Sequence, residues 1–257
     1  EYSSSHGITN LDTAFNYGNS ERILGEIGVT GFTITSKITL DEVYPKSKQG
    51  KVLQDIEGSL ARLKASKLDT LLVHNPLALD GQDSDRLYAE LKLAQSSGMV
   101  KNLGISIYSP RAIKSILDKF ELDVIQAPCN PFDDRIERFL KAPGKVSPSL
   151  VIQIRSIFLQ GLLLMCAENR PSFFDRWHSR LARWDQWLID NQISALAACV
   201  SFVFSREFVD QIVIGVESRD QLQNIVNIVN ENSNKYPSDL TMNEDKFLDP
   251  FNWDLRV

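Results

Sequence analysis

The sequence predicts a single α/β domain in which parallel strands alternate with helices. Short apolar runs of strand length are each followed by a longer stretch with helical spacing, and no linker interrupts the alternation. The chain has 257 residues, of which 43% are hydrophobic, enough for one sizeable core. The alternation by itself fits either a doubly wound sheet or a barrel of strands surrounded by helices.

Seven apolar segments predict the strands: Ile8–Asp12, Phe32–Ile38, Leu68–His74, Val100–Ile107, Val124–Ala127, Leu150–Ile154 and Gln211–Gly215. Seven segments predict helices: Ser20–Ile27, Gly50–Lys64, Asp83–Ser97, Pro110–Lys119, Asp133–Lys141, Asp175–Asp190 and Arg219–Asn230. In the second of these, apolar residues recur at helical spacing, and Arg62 is expected on the polar outer face. Gly98 is expected to close one helix, and Ser109-Pro110 to open the next.

The charge, the apolar runs and the cysteine content limit the kinds of partner and compartment expected for this chain. The net charge is −5 and the pI is about 5.3, which favours neither nucleic acid nor a membrane surface as a partner. The longest apolar run, Ile193–Phe204, is too short to cross a bilayer and predicts a buried helix. The three cysteines lack metal-binding spacing and are odd in number, which favours a reducing cytoplasm. No signal peptide is visible, although the chain begins with Glu1 rather than methionine.

Polar side chains follow three of the predicted strands. Asp12 ends the first and Tyr17 lies just beyond it, while Lys37 and His74 end the second and third. Because the carboxyl ends of parallel strands meet on one face, we expect these four side chains to converge. A tyrosine titrates near ~10, and a neighbouring ammonium would lower that pKa towards a useful value. The set therefore suits delivery of a proton to a carbonyl oxygen.

Other chemistries have less support. Asp12 and Lys37 could form a purely structural ion pair, since a buried lysine needs a partner in either case. The three histidines are far apart in the sequence, which argues against a metal site, and no Gly-x-Ser-x-Gly elbow is present. A glycine-rich dinucleotide-binding loop is also absent.

Several segments resemble the aldo/keto reductase family. The segment Gly7–Glu21 (GITNLDTAFNYGNSE) resembles the family signature, and the family order continues in later strand ends and in one helix start: Thr35–Lys37, Leu72–His74, Gly104–Ser106, Val124–Gln126 and Ile214–Leu222. The segment Arg155–Leu163 is similar to a bacterial subgroup found in carbohydrate-modifying pathways. The resemblance spans nearly the whole chain and implies a TIM (β/α)8-type barrel.

The resemblance also implies an enzyme that uses NADPH, or alternatively NADH, to reduce a small-molecule carbonyl. It implies that Tyr17 donates the proton, Lys37 tunes Tyr17, Asp12 holds Lys37, and His74 orients the carbonyl. For the cofactor it implies six binding residues: Ser106, Gln126, Arg155, Ser218, Arg219 and Gln221. Ser106 and Gln126 would contact the nicotinamide carboxamide, and Arg219 would meet the 2′-phosphate at a helix start.

The chain departs from the family pattern at two positions. Ile107 stands where well-known members have asparagine, and Arg155 stands where they stack an aromatic ring. These departures support an alternative function, a cofactor-binding or regulatory barrel with little turnover. Ser218 could also be only a helix cap. The aromatic stretch from Phe173 to Trp187 and the tail aromatics could line a pocket or dock an outer helix.

The first residues of the chain lead to one more prediction, about which barrel elements are present. Asp12 lies on the first predicted strand, whereas in family members the matching aspartate lies on the second. The opening residues, 1–7, resemble the end of the first barrel helix. We therefore expect a single domain over residues 1–257 that lacks the first strand and most of the first helix, with a gap between Ile8–Asp12 and Gln211–Gly215.

Overall fold

The computed structural model describes residues 2–40, 49–110, 113–142, 147–231, 236–237 and 239–254. These residues contain seven strands, hydrogen bonded in the order of the chain. The strands are Asn10–Asp12 (β1), Thr33–Ile38 (β2), Leu68–Val73 (β3), Val100–Ser106 (β4), Val124–Pro128 (β5), Val151–Arg155 (β6) and Gln211–Ile212 (β7). The registers of β1 to β5, and of β6 with β7, are parallel. All seven predicted strands are present, and Asp12 lies on the first of them.

The described helices follow the predicted alternation with ends shifted by a few residues. The α-helices are Tyr2–Ser5 (α1), Ser20–Ile27 (α2), Lys51–Leu63 (α3), Ser84–Ser96 (α4), Ile113–Lys119 (α5), Arg135–Leu140 (α6), His178–Asn191 (α7), Ala195–Phe204 (α8), Arg219–Glu231 (α9) and Asp245–Leu248 (α10). Short 3₁₀ segments span Pro76–Leu79, Leu162–Leu164, Ala167–Asn169, Ser172–Trp177 and Pro250–Asn252. Residues 111 and 112, near the predicted start at Ser109-Pro110, lie outside the described residues. Gly98 follows α4 with a φ of +82°, the left-handed conformation that ends a helix.

The chain divides into two compact units. Unit 1 comprises Glu1–Gln126 and Gly144–Val151, and unit 2 comprises Ala127–Pro143 and Ile152–Val257. The organisation of residues 1–257 as a single domain stays a prediction, as does the gap beside Ile8–Asp12.

The central strands of unit 1 are buried on both faces. All residues of β2 after Thr33 are buried, and so are all residues of β3 except Asp69. The polar side chains of β2, Thr35, Ser36 and Lys37, are therefore buried and need hydrogen-bond partners within the protein. One position in α3 differs from the expectation: Arg62, predicted on the outer face, points at the buried carboxylate of Glu21, 2.7 Å away. The helical period places a residue on a face, but it cannot show that a neighbouring helix approaches that face.

An aromatic cluster forms the core of unit 2. Phe132 and Trp184 are fully buried, and Phe174 contacts Trp253 with ring centroids 4.9 Å apart. Phe247 lies 5.1 Å from Trp177. These rings pack the C-terminal segment against the 3₁₀ segment before α7, which is the docking role that the sequence left open beside a pocket.

Aspartates brace the amino ends of three strands. Each carboxylate accepts a hydrogen bond from a backbone N–H of the preceding strand: Asp69 from Ile34 at 2.9 Å, Asp123 from Leu103 at 2.8 Å and Asp210 from Ile152 at 2.7 Å. The acceptor satisfies an N–H at the point where the next strand has not yet begun to pair.

In the part of the chain that the structure describes, no single helix is long and apolar enough to cross a membrane. One helix pair bent by 93°, Ser172–Asn191 with Ala195–Phe204, reaches the necessary length and composition only when its two members are taken together, as buried core helices also can.

Candidate active site

A buried ion pair between β1 and β2 lies at the centre of the site. The Lys37 side chain is almost completely buried, and its ammonium donates to the carboxylate of Asp12 and, at 3.0 Å, to the carbonyl oxygen of Thr13. The strand register sets this contact, because Asp12 pairs with Thr35, two residues before Lys37 on the same side of β2. The Lys37 Nζ is therefore held by a carboxylate and a carbonyl oxygen.

Tyr17 lies over this pair at the protein surface. Its side chain is 47% exposed, and the Lys37 Nζ lies 5.1 Å from the centroid of its ring. The His74 ring meets the Tyr17 ring edge to face, with centroids 6.0 Å apart at 74°. The structure thus brings together all four predicted catalytic side chains. The amine is buried, whereas Tyr17 is half-exposed.

Gln126 links the ion pair to β4. Its Nε2 donates to the Asp12 carboxylate at 2.8 Å, and its Oε1 accepts from the Ser106 hydroxyl at 3.3 Å. Both side chains are buried. The sequence predicted Ser106 and Gln126 as carboxamide ligands, and the donor set still fits that group, since a serine oxygen that donates can also accept. The bond from Gln126 to Asp12 was not predicted, because nothing in sequence spacing relates β5 to β1.

Neighbouring polar residues fix the backbone around the site. The Asn75 side chain accepts from the Leu40 N–H at 2.8 Å and donates to the Leu40 carbonyl, which ties the end of β3 to the chain after β2. The His74 N–H donates to the Ile38 carbonyl at 2.8 Å. Asparagine after a strand-end histidine is the signal that could have indicated this brace.

The sequence pattern does not indicate one buried carboxylate on the helix that follows β1. Glu21 in the first turn of α2 is buried and accepts hydrogen bonds from Ser36 at 2.7 Å, from Ser59 and from Arg62 at 2.8 Å. Ser36 directly precedes Lys37 on β2. A glutamate in the first turn of a helix usually faces solvent, so the sequence pattern alone does not indicate that Glu21 is buried.

Four predicted cofactor residues belong to unit 2. Arg155 ends β6, and its guanidinium donates to the Ser156 hydroxyl at 3.0 Å. Ser218 caps α9 by accepting from the Gln221 N–H at 3.2 Å, and the Gln221 side chain accepts from the Glu217 N–H at 2.8 Å. The helix-cap role of Ser218 is therefore present. Arg219 is exposed in the first turn of α9, with the carboxylates of Glu217 and Asp220 nearby in the sequence.

In the described ranges of the chain, neither metal-ligating side chains nor the two buried cysteines indicate further chemistry. Among the described residues, no group of three or more His, Cys, Asp or Glu side chains is placed to hold a metal ion. Burial raises the pKa of the Cys129 thiol well above its usual value, with the charge of Asp133 adding to the shift. Burial also raises the pKa of Cys199 beyond the physiological range. Both thiols therefore stay protonated and unreactive near neutral pH.

The sequence profile of the aldo/keto reductase family matches residues 1–239, and the chain belongs to this family. Solved structures have the same fold. An aldo-keto reductase AKR11C1 from Bacillus halodurans in its holo form superposes with a TM-score of 0.69 at 18% identity, over 88% of this chain and 78% of that one. The glycerol dehydrogenase AKR11B4 from Gluconobacter oxydans gives a TM-score of 0.62 at 21% identity, over 94% and 86%. The TIM-barrel class predicted from the sequence is thereby confirmed.

Relatives in sequence include "Aldo-keto reductase YhdN" of Bacillus subtilis (strain 168), 28% identical over 51% of this chain and 42% of that protein. The "NADH-specific methylglyoxal reductase" of Escherichia coli (strain K12) is 25% identical over 61% of this chain and 54% of that protein. The matched regions thus span about half the length of these relatives.

Proposed function

We propose that this chain carries the reductase site of an NAD(P)H-dependent enzyme that converts an aldehyde, ketone or keto-sugar to an alcohol. The observation that carries the proposal is the position of Tyr17. Its half-exposed phenol lies over a buried ammonium that a carboxylate holds in place. A proton donor that a substrate can reach, next to a cation that it cannot reach, suits acid catalysis on a carbonyl oxygen.

Each of the four side chains has a distinct role in this proposal. Tyr17 gives its proton to the carbonyl oxygen, and the Lys37 ammonium stabilises the phenolate that remains. Asp12 keeps Lys37 charged and in place, since it is within hydrogen-bond reach of both Lys37 and Gln126. His74, edge-on to Tyr17, directs the carbonyl oxygen towards the phenol.

The cofactor residues support a nicotinamide nucleotide as the reductant. Such a cofactor supplies a hydride for the carbonyl carbon. Ser106, buried next to Gln126, would hold the carboxamide, and the Ser218–Gln221 turn with Arg219 would hold the adenosine phosphate end. We propose NADPH as the cofactor because Arg219 is a cation in the first turn of a 13-residue helix.

NADH is the alternative cofactor, and two carboxylates near Arg219 favour it. Glu217 and Asp220 flank Arg219 and would repel a 2′-phosphate, and one relative is named as NADH-specific. Fluorescence titration of NADPH and NADH into the wild type and into Arg219→Ala shows which of the two cofactors the protein prefers. Selective loss of NADPH affinity supports NADPH, whereas equal losses for both nucleotides give Arg219 a structural role.

The test of the reductase proposal is Tyr17→Phe, with Tyr88→Phe as the matched control. Tyr88 lies away from the site and donates its hydroxyl to the Glu121 carbonyl at 2.8 Å. NADPH and NADH oxidation is followed with a panel of methylglyoxal, 4-nitrobenzaldehyde and several keto-sugars. Tyr17→Phe should lower turnover on the order of 10²-fold while cofactor affinity is unchanged. Turnover by Tyr17→Phe equal to that of Tyr88→Phe would remove Tyr17 from the mechanism.

A second candidate is a cofactor-binding or regulatory barrel with little turnover. Ile107 and Arg155 favour it, and so does the engagement of Gln126, whose amide already bonds Asp12 and Ser106. Tight nucleotide binding without turnover on the whole panel would establish this candidate in place of the reductase.

The reductase proposal also includes a binding partner and a cellular compartment. The partner is a small-molecule carbonyl, and the compartment is the cytoplasm. In support of the compartment, all three cysteines are free, and Cys166 is exposed.

A further inference from the structure

The loop that carries Tyr17 is fixed by its backbone at both ends. The Phe15 N–H donates to the Lys37 carbonyl at 2.9 Å, which extends the β1–β2 ladder into the loop. Beyond it, the Tyr17 N–H donates to the Ala14 carbonyl at 3.1 Å, and the Ser20 N–H to the Tyr17 carbonyl at 3.0 Å. The Phe15 backbone, two residues before Tyr17, therefore anchors the start of this loop to β2.

The side chain of Phe15 has its own partner, outside the tetrad. The Arg62 guanidinium lies over the Phe15 ring, 4.4 Å from the centroid, although the ring is 38% exposed. A guanidinium can stack on an aromatic face as a planar cation, and the contact is stronger when the guanidinium is held in one orientation.

Glu21 holds that orientation. Its carboxylate accepts from the Arg62 Nε at 2.8 Å and lies 2.7 Å from Nη2, and its other oxygen accepts from Ser36 and Ser59. The carboxylate is buried, while the Arg62 side chain is 37% exposed. Glu21 therefore joins Arg62 to the residue that precedes Lys37.

The helix that carries Glu21 is seated directly on the backbone of Arg62. A Cβ added at Gly25 would lie 2.1 Å from the Arg62 carbonyl oxygen, so only glycine permits this approach of α2 to α3. Arg62 is thus held by its side chain and is packed against α2 by its backbone.

We propose that Glu21 and Arg62 are positioning residues that clamp Phe15 and thereby hold Tyr17 over the Lys37 ammonium. The proposal rests on the proposed reductase function for its kinetic consequence, but the clamp itself is a property of the loop. Loosening the stack lets the phenol move away from the ammonium without removing any group that reacts.

The variants are Arg62→Met, which removes the planar cation, and Phe15→Leu, which removes the ring. Arg22→Met is the matched control, because Arg22 lies on α2 in an exposed pair with Glu26, with side chains 53% and 52% exposed. Arg62→Met should lower kcat on the order of 10-fold, with NADPH affinity unchanged, because misplacement of a reacting group affects the chemical step. The double variant should be no slower than the slower single variant, since both remove one contact.

A second readout does not depend on turnover. The protein is labelled with 3-fluorotyrosine, and the Tyr17 resonance is assigned as the signal missing from Tyr17→Phe. In Arg62→Met and Phe15→Leu the chemical shift and titration of this resonance should change, whereas in Arg22→Met they should match the wild type. Arg62→Lys keeps the charge but loses the planar stack, and it should change the Tyr17 resonance as Arg62→Met does. If Arg62→Met does not fold, Arg62→Lys takes its place in the experiment.

The possible results distinguish a failure of the proposed Phe15 clamp from a failure of the proposed reductase function. An unchanged Tyr17 resonance in Arg62→Met, Arg62→Lys and Phe15→Leu overturns the clamp, whatever the turnover. A changed resonance in a protein that shows no turnover supports the clamp and counts against the reductase function. Additive losses in the double variant overturn the idea of a single shared contact.

Discussion

The Asp12–Lys37 pair of unit 1 and the Asp133–Arg135 pair of unit 2 each have a buried basic side chain, but their surroundings differ. Arg135 binds Asp133 with two parallel hydrogen bonds of 2.8 and 2.7 Å and reaches Asp245 at 2.7 Å with its third nitrogen. Lys37, in contrast, is a single-point cation beneath a half-exposed tyrosine. Arginine saturates its partner and holds α6 to α10, whereas lysine leaves a compact charge close to a group that a ligand can reach.

The comparison shows that a buried ion pair by itself does not indicate chemistry. The bidentate pair has its polar groups directed at each other and at Asp245, and so it contributes to structure. The Lys37 pair contributes to structure as well, but its field also acts on an open phenol. The exposed neighbour, and not the burial of the pair, distinguishes the candidate active site.

Arg135→Met is expected to cause the largest loss of stability, and it tests the structural role of the Asp133–Arg135 pair. It leaves Asp133 as a buried charge without its partner, which should lower the free energy of unfolding by about 3–5 kcal/mol. Urea denaturation measures the loss, with Arg138→Met as the control, because the Arg138 side chain is 50% exposed where it pairs with Asp134. Turnover per folded molecule should not change. Equal denaturation midpoints for the two variants would show that the bidentate pair is not important for stability.

Lys37→Met should change activity more than stability. Turnover should fall on the order of 10²-fold, equivalent to about 2.7 kcal/mol of barrier. The stability loss should be smaller than for Arg135→Met, because the Asp12 side chain is 17% exposed and keeps its bond from Gln126.

The double variant Lys37→Met with Asp12→Asn sharpens this prediction. Removing the orphaned carboxylate should restore most of the stability while turnover stays low, because the ammonium is still absent. Recovery of turnover together with stability would mean that the pair acts only through the fold.

Asp123→Ala tests the opposite end of the strands and should have the smallest effect. It leaves the Leu103 N–H without its acceptor and removes a bond from Gln95, which should cost about 1–3 kcal/mol of unfolding free energy. Because this carboxylate lies at the amino end of β5, kcat should be unchanged. Asp118→Ala, at an exposed pair with Lys114, is the control for loss of surface charge. A drop in kcat per folded molecule would contradict the division of roles between strand ends.

The order of elements and the chemistry at the strand ends could be predicted from the sequence. Alternating apolar runs and helical periods are local patterns, so all seven strands were predicted. The positions of Asp12, Tyr17, Lys37 and His74 followed from the rule that parallel strands end on one face. The resemblance of Gly7–Glu21 then indicated the barrel, which periodicity could not distinguish from a doubly wound sheet.

The contacts between side chains of distant segments, in contrast, became visible only in the folded chain. The bond from Gln126 to Asp12 joins residues 114 positions apart, and Glu21 reaches Arg62 across 41 positions. Arg62 itself was placed on the outer face, because helical period reports only the side of one helix. Contacts of this kind depend on strand register and on the approach of α2 to α3, which arise when all parts of unit 1 pack together, and no local pattern encodes them.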